Sequence, residues 1–270
     1  MTVSSGRATQ LLERPDGMQL AYEISGSGRP VVVLHGFGTN RGVWEPMVAE
    51  LASQAMVVAV DLRGHGESTP MTEPTGIGVL ADDVAGLLNA VDLRDVVLVG
   101  HSLGGMVLQA FAQQHPASLD RVRGMLLVNS SGNPLASRAT KAVGVYFQTR
   151  LPDVVHRSPR LNHRFAKTSF PSDVPSATVA ALAALAPPPL SSRRAFVISS
   201  VPDLTPGNAS VDLDVTVLAS TKDRAVSVHD SASLAESFPR ARLRMVRGTG
   251  HILPLEMPDV VLDEILRLVR

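Results

Sequence analysis

Short runs of β-branched and aliphatic residues, each the length of one strand, recur along this 270-residue chain and alternate with helical patterns. Unbroken runs of this kind are typical of strands that are buried on both faces of a sheet. The runs are Val31–Leu34, Met56–Val60, Val96–Val99, Met125–Val128 and Val215–Ala219. Between two of them, apolar residues at 80, 84, 87, 88 and 91 follow one face of a helix. The alternation predicts an α/β fold with a mostly parallel sheet and helices on both faces.

Two more strands are predicted before the first of these runs, at Gln10–Glu13 and Met18–Ile24. Between them, Pro15-Asp16-Gly17 has the composition of a turn, because proline presets φ and glycine accepts a positive φ. Right-handed crossovers place the carboxyl ends of parallel strands along one edge of a sheet. Functional sites of such folds gather at that edge, so we expect the site there.

The alternation stops between residues 133 and 194, where proline and arginine are frequent and no strand run appears. Short helices are predicted in this stretch at Ser137–Thr149 and Ser176–Leu185. Because the strand pattern resumes at Asp214, the stretch is interpreted as an inserted helical lid and not as a separate domain. We therefore expect a core made of residues 1–132 and 195–270, with the lid at residues 133–194.

Composition excludes several classes of function. The chain has no cysteine, so it has no disulfide, thiol nucleophile or thiolate metal site. Its 25 basic and 25 acidic residues balance, so no overall field favours nucleic acid. The amino terminus lacks a signal-peptide pattern, and no apolar run reaches the roughly 18 to 20 residues of a membrane span. We expect a cytoplasmic protein without a transmembrane segment, nucleic-acid partner, metal or cofactor.

The pentapeptide Gly-His-Ser-Leu-Gly at 100–104 places Ser102 between a predicted strand, Asp95–Val99, and a helix that begins at Leu103. A serine on so tight a strand-to-helix turn has a strained backbone and presents its hydroxyl to the site, and the two flanking glycines relieve the clash between strand and helix. The positive end of the helix then points at a developing oxyanion. This context predicts that Ser102 is a nucleophile.

Together with three other segments, this motif resembles the α/β-hydrolase fold superfamily over most of the chain. His35–Gly38 resembles the oxyanion loop of that superfamily, and Asp61–Ser68 resembles the turn after the next strand. Gly250 and His251, followed by the Pro254, Glu256 and Pro258 pattern, resemble the loop that carries the catalytic histidine. The resemblance implies an acyl-transfer enzyme that needs no cofactor.

The general base is predicted to be His251, which follows the last predicted strand at the carboxyl edge of the sheet, within reach of the Ser102 proton. The resemblance implies that the acid lies in the loop after Val215–Ala219, where Asp223 stands, and the chain order serine, aspartate, histidine agrees. Some members place the acid after the preceding strand, but no carboxylate follows Met125–Val128 here. Alternative acids nearby are Asp203, Asp212 and Asp214.

An oxyanion hole needs two backbone N–H groups directed at the tetrahedral oxygen. By position in the resembling motifs, these N–H groups are those of Phe37 and Leu103. An apolar pocket for the substrate is expected under the lid, with core packing as the alternative role for each candidate residue. The pocket candidates are Trp44, Met106, Phe147, Leu151 and Ile252.

These residues predict a serine hydrolase that cleaves a carboxylic ester with a small to medium apolar acyl group through an acyl-enzyme on Ser102. Other members of the resembling superfamily are carbon–carbon bond hydrolases, thioesterases and cofactor-free perhydrolases or haloperoxidases, and these alternatives stay open. A ligand receptor with an intact triad and little turnover is the alternative from another class.

The predicted lid is strongly basic, with Asp153 as the one acidic residue between positions 138 and 167. A solvated helical face would explain this composition. The sharper hypothesis is a weak docking of this stretch on an anionic substrate or lipid surface, which salt would weaken. The basic residues are Arg138, Lys141, Arg150, Arg157, Arg160, Arg164 and Lys167.

Overall fold

The computed structural model describes residues 7–134, 142, 145–171, 174–197 and 201–270. Eight strands within this part of the chain form one sheet. They are β1 (Gln10–Glu13), β2 (Gln19–Ser25), β3 (Pro30–Leu34), β4 (Met56–Val60), β5 (Val96–His101), β6 (Val122–Val128), β7 (Asp214–Ser220) and β8 (Ala241–Val246). Their order across the sheet is β1-β2-β4-β3-β5-β6-β7-β8.

The sheet is mostly parallel, as predicted. The β1–β2 and β2–β4 pairs are antiparallel, and every other neighbouring pair is parallel. The register aligns the strand ends, since Leu34 pairs with Gly100 and His101 pairs with Val128. The loops that follow the six parallel strands β4, β3, β5, β6, β7 and β8 therefore lie along one edge of the sheet.

Helices cover both faces of this sheet. They are α1 (Glu45–Ala52), α2 (Ile77–Ala90), α3 (Leu103–Gln114), α4 (Leu151–Arg157), α5 (Pro159–Thr168), α6 (Ser176–Ala184), α7 (Leu190–Ala195), α8 (Thr205–Asn208), α9 (Val228–Glu236), α10 (Leu253–Glu256) and α11 (Pro258–Val269). Short 3₁₀ helices occur at Arg41–Trp44 and Pro116–Arg121.

Alternate residues of each central strand point to opposite faces, which creates two apolar clusters. On one face, Val32 and Leu34 of β3 pack with buried residues of α2, α3 and α9. On the other face, Val31 and Val33 pack with buried residues of α1 and α11. This double-sided burial explains why the strands appear in the sequence as unbroken aliphatic runs, and it confirms the predicted fold class.

Between β6 and β7 the described residues contain α4 to α8 and no strand, and we call α4 to α7 the helical segment. In this helical segment α4 contacts α5, and α5 contacts α6. The helix predicted at Ser176–Leu185 is present as α6, whereas much of the helix predicted at Ser137–Thr149, with Arg138 and Lys141, lies outside the described residues. The assignment of residues 133–194 as a lid stays a prediction. None of the helices in the described part of the chain is long and apolar enough to span a bilayer.

Candidate active site

Ser102 lies on the turn between β5 and α3 with φ +49° and ψ −112°, a conformation that residues other than glycine rarely adopt. The turn is possible because two nearby residues have no side chain. A Cβ at Gly100 would lie 2.4 Å from the carbonyl carbon of Gly104, and a Cβ at Gly104 would lie 2.4 Å from the carbonyl oxygen of Leu34. Glycine is thus sterically required at both positions, and the strained serine is held at the carboxyl edge of the sheet.

Two further loops at this edge bring a histidine and a carboxylate to Ser102. Nε2 of His251 lies 3.1 Å from the Ser102 Oγ, and Nδ1 of His251 lies 2.8 Å from Oδ2 of Asp223. Oδ1 of Asp223 accepts backbone N–H groups from Ala225 and Val226 at 2.7 and 2.9 Å. Because an ionised carboxylate only accepts, Nδ1 donates to Asp223, and Nε2 is left to accept the serine proton. The structure therefore joins the predicted serine, histidine and aspartate in one hydrogen-bonded chain.

Electrostatic coupling between Asp223 and His251 suits this pair to proton transfer. Burial raises the pKa of Asp223, but the charge and hydrogen bond of His251 and the two N–H donors outweigh burial and hold that pKa below its ordinary value. Burial lowers the pKa of His251, but the charge and hydrogen bond of Asp223, with the charge of Glu256, raise it above the ordinary value. A histidine with a raised pKa is a stronger base for the serine proton.

The loop after β3 runs beside the serine. A Cβ at Gly36 would lie 3.2 Å from the Cβ of Ser102, and Phe37 follows Gly36 directly. His35 fixes this loop, since its Nδ1 donates to the Gly36 carbonyl at 2.8 Å and its Nε2 accepts a backbone N–H from the loop after β4 at 3.0 Å. Burial lowers the pKa of His35 to about 4, so the ring stays neutral in this role. Leu103 is the first residue of α3, and the assignment of Phe37 and Leu103 as oxyanion donors stays a prediction.

A cavity of about 480 Å³ opens onto Ser102 and His251. Its walls come from the loops at the sheet edge and from the helical segment. Among the described residues that line it there is no Asp or Glu, and Arg224 is the one Arg or Lys. Such a lining favours an apolar group next to the serine. Three predicted pocket residues, Met106, Phe147 and Ile252, line the cavity together with Tyr146, Phe165 and Leu182.

Comparison with known proteins agrees with this geometry. The profile of the alpha/beta hydrolase family matches residues 31–264, which include every strand from β4 to β8 and all three members of the hydrogen-bonded chain. The chain belongs to this family. The resemblance noted in the sequence motifs is therefore confirmed at the level of the family and of the fold.

Esterases are among the similar structures, and two of them match this chain over almost its whole length. An esterase from Thermogutta terrifontis is 27% identical with a TM-score of 0.79, and covers 97% of this chain and 98% of its own. The esterase RhEst1 from a Rhodococcus species is 26% identical with a TM-score of 0.81, over 97% and 98% of the two chains. By sequence, a 2-hydroxymuconate semialdehyde hydrolase from a Pseudomonas species is 26% identical over 251 residues, 89% of this chain and 86% of that protein.

Two of the five predicted pocket residues lie elsewhere in this alpha/beta hydrolase. Trp44 is fully buried in the core on the α1 face of the sheet, because the 3₁₀ turn Arg41–Trp44 directs its ring inward. Leu151 begins α4 with its side chain 52% exposed, whereas the next residue, Pro152, lines the cavity. Adjacent helical residues point in different directions, so Leu151 faces away from the cavity. The prediction that these two side chains line the pocket is wrong.

Glu256 is a functional candidate that the sequence showed only as part of a motif. Its Oε2 accepts the backbone N–H of Gly250 at 2.6 Å, and its Oε1 accepts that of Ile252 at 3.1 Å. The carboxylate therefore binds both neighbours of His251 along the chain. Burial raises the pKa of Glu256, and the two N–H donors only partly oppose this. The sequence signal for this residue was its place five residues after His251, at the end of the short helix α10.

Asn129 and His101 support the same loop from the sheet. Nδ2 of Asn129 lies 2.9 Å from the carbonyl oxygens of both Gly250 and His251, and Nε2 of His101 donates to the His251 carbonyl at 2.8 Å. Asn129 follows β6, the strand after which some family members place the acid. Here its side chain binds the two backbone carbonyls instead. Together with Glu256, these side chains fix the position of the imidazole through its backbone.

Within the described residues, none of the alternative acids forms a hydrogen bond with His251. Asp203 caps the start of α8 through Thr205, and Asp212 and Asp214 pair with Arg240 at the opposite end of β7. The described part of the chain also holds no group of three His, Asp or Glu side chains arranged to bind a metal ion.

Proposed function

We propose that this alpha/beta hydrolase is a serine esterase that cleaves carboxylic esters with small to medium apolar acyl groups. The observation that carries the proposal is the chain from Ser102 through His251 to Asp223, at the floor of a largely apolar cavity. The esterases among the structural relatives support the same reaction class. The helical segment, which supplies part of the cavity wall, acts in this proposal as the lid over the acyl group.

In the proposed reaction, Ser102 Oγ forms a bond to the substrate carbonyl carbon while its proton moves to Nε2 of His251. The negative charge on the carbonyl oxygen is stabilised by the backbone N–H groups of Phe37 and Leu103. His251 then gives the proton to the departing alkoxide, which leaves as the alcohol. Water attacks the acyl-enzyme with His251 again as base, and the carboxylic acid leaves from a regenerated serine.

The test is a substrate panel for the purified protein. We expect kcat/KM for p-nitrophenyl esters to rise from acetate towards octanoate, because each buried methylene contributes about 0.8 kcal/mol, or roughly fourfold, until the cavity is full. Palmitate, dispersed with detergent, should be a poor substrate. The same acyl groups are also offered as thioesters. In separate assays, hydrogen peroxide is added as an alternative acyl acceptor, and a vinylogous diketone is used to test carbon–carbon cleavage.

The panel separates the competing reactions. A higher kcat/KM for the thioester than for the oxygen ester of the same acyl group would overturn the esterase proposal, and so would diketone cleavage faster than any ester hydrolysis. A p-nitrophenol burst of one equivalent that then stops would indicate a receptor whose acyl-enzyme does not turn over.

On the acid side of the pH profile, kcat/KM should decrease as His251 becomes protonated. Only neutral His251 accepts the serine proton, so activity decreases about tenfold for each pH unit below its pKa in the free enzyme. Because Asp223 and Glu256 hold that pKa above the ordinary histidine value, the decrease should begin at a higher pH than for an unperturbed imidazole. The measurement is initial velocity at low substrate concentration across the pH range, and a flat profile down to pH about 5 would contradict the role of His251.

Glu256→Gln should lower kcat by about tenfold or more while KM changes little. A glutamine keeps one acceptor oxygen but turns an NH₂ group toward a backbone N–H, so the loop and the imidazole shift, and small shifts at a base are costly. Loss of the charge also lowers the pKa of His251, so the acid limb of kcat/KM moves to lower pH.

The control for this positioning role is Glu236→Gln, which removes a carboxylate from an exposed place on α9. We expect the control to keep both the kcat and the pH profile of the parent protein. A Glu256→Gln protein with unchanged kcat and unchanged acid limb would show that the carboxylate does not act through His251.

A further inference from the structure

Exposed apolar side chains are concentrated on one part of this molecule. Nine large hydrophobic residues of the described chain are exposed, and five of them fall within residues 145–165. Their exposed fractions run from 39% for Phe165 to 65% for Val145. Single exposed aliphatic residues are ordinary, but a group within one short segment marks an interaction surface. The five are Val145, Leu151, Val154, Leu161 and Phe165.

Basic residues alternate with these apolar ones along the same segment of the chain. Residues 145–171 hold five of the chain's 25 basic residues and one of its 25 acidic residues, so the rest of the chain has four more acidic than basic residues. The single acid, Asp153, is already bound by the buried Arg193 at 2.6 Å. All five basic residues are exposed, and none forms an ion pair with another described residue. They are Arg150, Arg157, Arg160, Arg164 and Lys167. We call these ten side chains the outer face.

The outer face is carried by helices that are apolar on two sides. On α4, Pro152 and Val155 line the cavity while Leu151 and Val154 are exposed. On α5, Leu161 is exposed, and Phe165 both lines the cavity and reaches the surface, with its ring stacked on Tyr146 at 4.9 Å. The wall between the cavity and the outer face is therefore one helix thick.

We propose that the outer face docks this protein on a bilayer that contains anionic phospholipids, with α4 and α5 lying along the membrane surface. Val154, Leu161 and their apolar neighbours insert among the acyl chains, and the arginines bind the lipid phosphates, which is the usual arrangement of an interfacial helix. The net positive charge of the outer face, against a net negative charge elsewhere, orients the molecule before contact.

A fluid lipid surface suits this face better than an acidic protein does. Four of the five apolar side chains are exposed on two short helices, and a membrane can adapt to such protrusions without a matching groove. Docking there also brings the cavity close to the source of hydrophobic esters. The binding itself does not depend on the proposed esterase reaction, so it is tested without substrate.

The experiment is co-sedimentation of the full chain with extruded vesicles. We expect binding to phosphatidylcholine vesicles that contain about one-third phosphatidylglycerol and little binding to pure phosphatidylcholine. Binding should fall sharply at ~1 M NaCl, where the Debye length is about 3 Å. Because the salt effect is measured on the parent protein, it stays informative even if a variant fails to fold.

Two variants test the two parts of the face. Replacing Arg157, Arg160 and Arg164 with glutamine should lower the partition coefficient at least about tenfold. Val154→Ser with Leu161→Ser should lower it by a similar factor. Hydrolysis of p-nitrophenyl butyrate in solution should stay near the parent rate in both, since none of these side chains lines the cavity.

The matched controls change the same number of charges and apolar groups on other surfaces. One control replaces Arg94, Arg240 and Arg270 with glutamine, and the other replaces Leu11 and Leu243 with serine. All five positions are exposed. Both should bind within about twofold of the parent. The proposal is overturned if the parent does not sediment with anionic vesicles, if it binds pure phosphatidylcholine equally, or if the controls lose as much binding as the outer-face variants. Retention on immobilised polyglutamate as strong as on vesicles would favour an acidic protein partner instead.

Discussion

Ser102→Ala should lower kcat for p-nitrophenyl butyrate by at least about 10³-fold, with the burst of p-nitrophenol abolished. The alanine has no oxygen to form the acyl-enzyme, so only the polarising contribution of the oxyanion hole remains. Binding of the ester is expected to persist, because the rest of the cavity lining is unchanged. The measurement is stopped-flow and steady-state kinetics on the same preparation.

The matched control is Ser53→Ala, which removes an exposed serine hydroxyl whose one hydrogen bond within the described residues goes to the carbonyl of Glu50. It should keep the parent kcat. If Ser102→Ala turns over ester at a rate near that of the control, with an unchanged circular dichroism spectrum, then Ser102 is not the nucleophile and the proposed mechanism is wrong.

Asp223→Asn should lower kcat by about 10⁴-fold, the scale of losing the carboxylate of such a triad. An asparagine amide can donate to Nδ1 of His251, and the proton of the ring then sits on Nε2, where the Ser102 proton has to be accepted. The variant also removes the charge that opposes burial, so the pKa of His251 falls. The acid limb of kcat/KM should therefore move to lower pH while the maximum collapses.

Asp212→Asn is the control, since that carboxylate is exposed and its one ion-pair partner in the described part of the chain is Arg240. We expect its rate and pH profile to match the parent protein. An Asp223→Asn protein that loses less than about tenfold in kcat would mean that another carboxylate orients His251. In that case Glu256 would be the next residue to replace.

The parts of the site that lie next to their strands in the sequence could be predicted. The aliphatic runs locate β3 to β7 because both faces of those strands are covered, and the glycines at 100 and 104 identify the turn at Ser102 because a side chain there would meet backbone. His251 follows from the edge at which parallel strands end, so these conclusions need only local pattern and topology. The choice of Asp223 also needs the resemblance to the α/β-hydrolase superfamily, because other carboxylates are nearby in the sequence.

Contacts between loops could not be predicted in the same way. Glu256 forms hydrogen bonds with the N–H groups beside His251, and Asn129 forms hydrogen bonds with the carbonyls there. These contacts join side chains to backbone across the fold and leave no periodic signal in the sequence. The direction of a side chain on a helix with two apolar sides is equally hidden, which is why the prediction for Leu151 is wrong. The prediction for Trp44 is wrong because the sequence does not show that the tight turn Arg41–Trp44 directs the ring into the core.

The hydrogen bond between His251 and Ser102 joins residues 149 positions apart, and the histidine follows the last strand of the sheet. During synthesis, the serine and its strained turn leave the ribosome long before their base does. A nascent or truncated chain that lacks β8 thus carries the hydroxyl without the group that activates it. In the proposed mechanism, acyl transfer requires the complete sheet, so ester hydrolysis would serve as a direct assay for the final step of folding.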